Sequence, residues 1–117
     1  MTKASKARLF IRIDFGDAEA FGPGKARLLE LVDEHGSIAR AAAAMSMSYA
    51  HAWKLLDATE ETFGTPLIVT ATGGAKGGGA MLTPQGRAVL ERYRDIERRA
   101  NRATAGALAT LKRAAAL

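Results

Sequence analysis

Cysteine is absent from the 117 residues of this chain. Disulfides, thiolate metal sites and cysteine nucleophiles are thereby excluded, a composition that suits a reducing cytoplasm. Histidine is scarce as well. His35 and His51 do not share a metal-ligating spacing, and Ser46 and Ser48 lie outside any nucleophile-elbow context. No catalytic residue and no metal ligand is expected, and the chain does not read as an enzyme. Long apolar runs are also missing. The stretch 9–15 is broken by Arg12 and Asp14, too short and too charged for a signal-peptide core or a membrane span. A cytoplasmic protein without membrane contact is the expectation.

Apolar residues make up 48% of the chain but aromatics only 6%. Much of the apolar share is alanine, which favours helices and close packing more than it adds buried area. The net charge of +5 is unevenly placed. Residues 84–117 hold eight Lys/Arg against three Asp/Glu, whereas the first 83 residues hold nine of each and are neutral. A basic total invites a nucleic-acid partner. Here the argument must rest on where individual cations stand.

The chain predicts a mainly α fold with a small β-sheet, a winged helix-turn-helix followed by a long C-terminal helix. Residues 1–7 read as a flexible basic tail, 8–83 as the winged domain and 84–117 as the long helix. The segment 8–15 alternates around Leu9, Ile11 and Ile13 and suits a strand; 16–21 reads as a loop. Pro23 fits a first helical turn, and Leu28, Leu29, Leu31 and Val32 form a stripe that ends at Gly36. Ser37 is a good N-cap for a helix over 38–45, whose alanine run lets another helix lie very close. Ser46, Met47 and Ser48 make a turn, and Ser48 caps the next helix, running to about Phe63. In it Ala52, Leu56, Thr59 and Phe63 fall on one inward face. Gly64 and Pro66 end it. Residues 67–72 are strand-like, 73–79 form a glycine-rich tip, and 80–82 return. Thr83 and Pro84 then open a helix with no strong stop, Gly106 being its one weak point. Val89, Tyr93, Ile96, Ala100, Ala103, Ala107, Leu111 and Ala114 recur along it at steps of three and four, a seam too long for one small domain to cover. A homodimer is expected; packing of the seam on its own domain is the alternative.

In a winged helix-turn-helix the second helix of the motif enters the major groove, and the wing touches an adjacent groove or the backbone. Ser48 and Tyr49 offer hydroxyls, Ala50 a methyl-sized contact for thymine, and His51 and Lys54 donors for guanine or phosphate. Tyr49 reads equally well as a half-buried packing residue, and His51 as an ordinary surface histidine. Ser37 and Arg40 would position the motif on the backbone; Thr72, Lys76 and Gly77 would form the wing contact. Trp53, the sole tryptophan, reads as a structural brace under the wing or strand, with direct DNA contact the alternative. A phosphate-cradling loop at GGAKGGG fails, because Lys76 is followed by glycines and a strand instead of Ser/Thr and a helix.

The segments FGPGKARLLELVDEHGSIARAAAAMSMSYAHAW and PLIVTATGGAKGGGAMLTPQGRAVLERY resemble the N-terminal DNA-binding domain of ModE-type molybdate-responsive transcription regulators. More distantly they are similar to the winged helices of LysR-type regulators. The resemblance implies a homodimer that recognises an inverted repeat in double-stranded DNA near molybdenum-related genes. It also implies molybdate-binding domains after the long helix. These 117 residues do not contain them, so no cofactor is expected and a separate effector-binding protein stays open as a partner. Two positions depart from the family's pattern: Ala50 and Thr70 stand where it usually carries a cation. The contrasting expectation is a winged-helix adaptor that dimerises or binds another protein with little affinity for DNA.

Overall fold

The computed structural model describes residues 2–71 and 79–114. Four helices and two hairpins follow one another as β1 (Ile13–Phe15), β2 (Ala18–Phe21), α1 (Pro23–His35), α2 (Ile38–Ala44), α3 (Tyr49–Phe63), β3 (Ile68–Ala71), β4 (Gly79–Leu82) and α4 (Pro84–Ala114). A single 3₁₀ turn at Lys3–Lys6 precedes them and lies beside α4.

The helix boundaries sit where the backbone's unpaired donors and acceptors find partners. Pro23 occupies the first turn of α1, and Gly36 ends it in the left-handed conformation at φ 65°. The Ser37 hydroxyl accepts the Arg40 N–H at 3.1 Å, and the Ser48 hydroxyl accepts the His51 N–H at 3.0 Å. Each cap satisfies a donor that the first helical turn leaves open. Between the two helices Ser46 takes φ 56°, the one non-glycine residue with positive φ among those described.

The core is a three-helix corner closed by the hairpins. Ala41, Ala42 and Ala52 are 0–1% exposed where α2 packs on its neighbours, and methyl side chains there allow a close approach of the helices. Leu28, Leu29 and Val32 of α1 fill the space beneath, and Ile38 and Leu56 join them. Phe21 is also fully buried. Its ring packs edge-on against Phe63 at 5.6 Å and Tyr93 at 5.1 Å, joining β2, the end of α3 and the start of α4. Burying a side chain of that size contributes about 1.5–3 kcal/mol.

The N-terminal region departs from expectation. The strand is confined to Ile13–Phe15, and residues expected as a loop form β2, antiparallel to it. Gly16 at φ 67° and Asp17 make the tight turn, a glycine–aspartate pair that suits a two-residue hairpin loop. Ahead of the hairpin, Leu9 and Ile11 are half-buried while Phe10 and Arg12 face solvent, so the alternation persists without strand pairing. The Tyr93 hydroxyl donates to the Ile11 carbonyl at 2.7 Å and ties this segment to α4; burial raises that tyrosine's pKa.

Helix α4 runs unbroken through Gly106 for 31 residues, about 46 Å at 1.5 Å per residue. Its first turns pack on the domain through Gly86, Val89, Leu90 and Tyr93. Beyond them the helix projects outward, and the molecule measures 60 × 29 × 23 Å. Ile96 and Leu111 on the seam are exposed. Packing of the whole seam on its own domain does not occur.

Two substitutions probe this framework. Gly86→Ala should lower stability by about 1–3 kcal/mol, because the added methyl would run into the Leu67 backbone carbonyl. Alanine otherwise favours a helix over glycine by about 1 kcal/mol, so a raised thermal midpoint would show that α4 does not lie this close to β3. Ser46→Gly should stabilise by up to about 1 kcal/mol by relieving the left-handed backbone at φ 56°. A lowered urea midpoint would contradict the turn geometry.

Candidate nucleic-acid interface

The second helix of the corner, α3, presents two opposed faces. Ala52, Leu56 and Thr59 are buried, as the spacing requires, and Phe63 is partly so. Ser48, Tyr49, Ala50, His51 and Lys54 are all exposed, and Arg40 on α2 is exposed beside them. Ser37 is half-buried at the start of α2. Both cap hydroxyls accept backbone N–H groups and keep their own O–H to donate outward. Thr72, Lys76 and Gly77 lie outside the described residues.

The outer face changes character along its length. Tyr49, His51 and Lys54 hold the N-terminal half; Asp57 and Glu61, also exposed, hold the next turns. The hairpin adds a further acid on the same flank. Glu19 is held below the usual carboxylate range chiefly by the hydrogen bond from Lys25, and the Lys54 ammonium contributes to the same field. Lys25 Nζ donates to Glu19 at 2.8 Å and to the Ala20 carbonyl at 2.7 Å. The acids disfavour a polyanion along the C-terminal half of α3 and leave the N-terminal half the more favourable part of this face.

Three hydrogen-bonded contacts lock the wing, β3 and β4, onto the corner. Glu60 of α3 accepts the Leu67 N–H at 2.8 Å and the Ile68 N–H at 3.2 Å, so α3 itself holds the start of β3. Asp33 of α1 accepts the Leu82 N–H at 3.3 Å and pairs with Arg87 at 2.9 Å, joining α1, β4 and α4. The Ala80 N–H donates to the Gly36 carbonyl at 3.0 Å, fixing the wing to the α1–α2 turn. Glu60 and Asp33 were not singled out from the sequence. The signal for Glu60 was the short Gly64–Thr65–Pro66 connection, which returns the chain against the last turns of α3.

Trp53 is half-buried and packs edge-to-face on Tyr49, with ring centroids 6.3 Å apart. It stands beside the wing, as a brace would, but one side of it opens into a cleft. That cleft, about 450 Å³, runs between the corner and the wing and is bounded by Ser37, Tyr49, Trp53, Thr70 and Ala80. A second, almost wholly apolar groove of about 420 Å³ lies on the opposite side, where Phe15, Phe63, Val89 and Ile96 meet. Among the described residues no cluster of His, Asp and Glu suits a metal ion, and no helix is long and apolar enough to cross a membrane.

Known proteins are similar to this chain. The molybdenum transport protein ModE of Azotobacter vinelandii is 38% identical over 91 residues, 78% of this chain and 33% of its own length. The transcriptional regulator ModE of Haemophilus influenzae is 34% identical over 90 residues, 77% of this chain and 35% of its own. The molybdenum-pterin-binding protein MopA of Rhodobacter capsulatus is 36% identical over 80 residues, 68% of this chain and 30% of its own. This chain spans about a third of the length of these relatives. Among solved structures, the CbnR DNA-binding domain, described in complex with DNA, superposes with a TM-score of 0.56 at 28% identity, covering 80% of this chain and 97% of that one. The model of the bacterial regulatory helix-turn-helix proteins of the lysR family matches residues 24–87, from the first turn of α1 through the corner and wing into α4. More than half of the chain is thus accounted for by one family, and the chain belongs to it.

Proposed function

We propose that this chain is a homodimeric, sequence-specific DNA-binding transcription regulator that places the N-terminal half of α3 in the major groove of double-stranded DNA. The observation that carries this reading is the shared exposure of Tyr49, Ala50, His51 and Lys54 on a helix whose other face is sealed into the core. In this reading Ser48 and these four residues reach base edges and nearby phosphates, while Ser37 and Arg40 hold the backbone. Thr72, Lys76 and Gly77 make the wing contact. The DNA complex of the structural neighbour supports the choice of partner. The names of the ModE and Mop relatives support a link to molybdenum-related genes; acting on genes, the chain would work in the cytoplasm.

The dimer would form through the N-terminal strand region and α4. The exposed Ile96 and Leu111, with the alanines between them, supply a narrow apolar stripe along the free half of the helix. A two-fold pair of corners then matches half-sites about 34 Å apart, one turn of duplex. Neutrality over the first 83 residues, together with Asp57 and Glu61 on α3, favours a second reading, a protein–protein adaptor. An adaptor would bind neither random nor palindromic duplex at about 0.1 M salt.

Lys54→Ala and Arg40→Ala should each flatten the dependence of log K on log salt by about 0.9, the value for one phosphate contact on duplex DNA. Anisotropy titrations across a salt series measure it. Slopes identical to the parent chain would remove both side chains from the phosphate backbone. A palindromic duplex bound no better than a random one would refute sequence specificity.

A further inference from the structure

The cleft between the corner and the wing carries an inference that rests on the DNA-binding reading and goes beyond it. We infer that this cleft seats a deoxyribose–phosphate segment of the duplex against an aromatic and hydroxyl wall, with Trp53 in direct contact with the nucleic acid.

Three elements converge on it. Ser37, Ile38 and Ala39 come from α2, Tyr49 and Trp53 from α3, and Thr70, Ala71, Gly79 and Ala80 from the wing. Its floor is fixed, because the Ala80 N–H is bonded to the Gly36 carbonyl at 3.0 Å. Its lining includes Ala39, next to Arg40 in α2, and Tyr49, the first residue of α3, so a backbone strand bordering the groove entered by α3 would pass over it. Ser37 and Thr70 offer hydroxyl donors to phosphate oxygens, and Tyr49, 55% exposed, offers a third. The edge-to-face pair of Tyr49 and Trp53 turns flat apolar surface toward the carbon face of a sugar.

None of the described lining residues is charged. A strand held here is gripped by hydrogen bonds and apolar contact, which release no counterions. The seat therefore adds affinity that salt does not remove, unlike Arg40 or Lys54. In a domain whose first 83 residues are neutral, this is how a duplex is retained without a broad basic surface.

Trp53 is the sole tryptophan, so its emission reports on the cleft alone. The full chain is titrated with a labelled palindromic duplex while anisotropy and tryptophan emission are followed together. Emission should change by roughly a third or more, as the indole exchanges water for a nucleotide, with the same midpoint as the anisotropy. Tyr49→Phe, which removes only a hydroxyl, should weaken binding by about 2–10-fold without changing the salt slope. Thr70→Arg, at an exposed strand position that tolerates it, should steepen the slope by about 0.9 as a cation is brought to the seated phosphate. Rising anisotropy with unchanged emission and an unchanged Thr70→Arg slope would overturn the cleft while leaving DNA binding standing. No anisotropy change with any duplex would overturn both.

Discussion

The buried alanines Ala41, Ala42 and Ala52 leave room for α2 and α3 to pack closely, and the outward-facing side chains inherit their direction from that packing. Interiors are close-packed, so a larger residue at any of the three would push the helices apart or rotate one on the other. Tyr49, Ala50, His51 and Lys54 would turn with it. Ser37 and Ser48 cap the two helices at the mouth of the corner, and Ser46 accepts a left-handed backbone to connect them. The energy spent on that turn is stored where the surface that meets a partner begins.

Around this corner the wing is positioned by polar contacts as well as by Leu67, Ala80 and Leu82, which are buried in the core. Glu60 holds the start of β3, Asp33 the end of β4, and the Gly36 carbonyl the Ala80 N–H between them. Each comes from a different part of the corner, so the base of the wing is tied to α1, α3 and the α1–α2 turn. Electrostatics then restricts the approach. Asp57 and Glu61, with Glu19 nearby, make the far half of α3 acidic, so its N-terminal half is the part of this face more favourable to a polyanion.

Much of this was legible in the residues themselves, for local reasons. Helix starts at Pro23, Ser37, Ser48 and Pro84 and the stops at Gly36 and Gly64 follow from backbone chemistry within one turn. The inward face of α3 follows from its period. What failed to show was set by distant partners. Residues 9–13 alternate like a strand, yet among the described residues no strand pairs with the segment before Ile13, while Ala18–Phe21 gained a partner through a turn of only two residues. The roles of Glu60 and Asp33 depend on backbone N–H groups that approach from other elements, one of them 49 residues away. The cleft beside Trp53 likewise exists only once α2, α3 and the wing have met; the indole itself gave no sign of which side would remain open.

Backbone amide shifts of the full chain, followed by NMR as a short palindromic duplex is added, test the central claim most directly. The account predicts that the largest changes gather at residues 37–40, 48–54 and 70–71, with α4 beyond Ile96 and the β1–β2 hairpin little affected. Changes gathered instead on the outer half of α4 or on the hairpin, with 48–54 undisturbed, would contradict it.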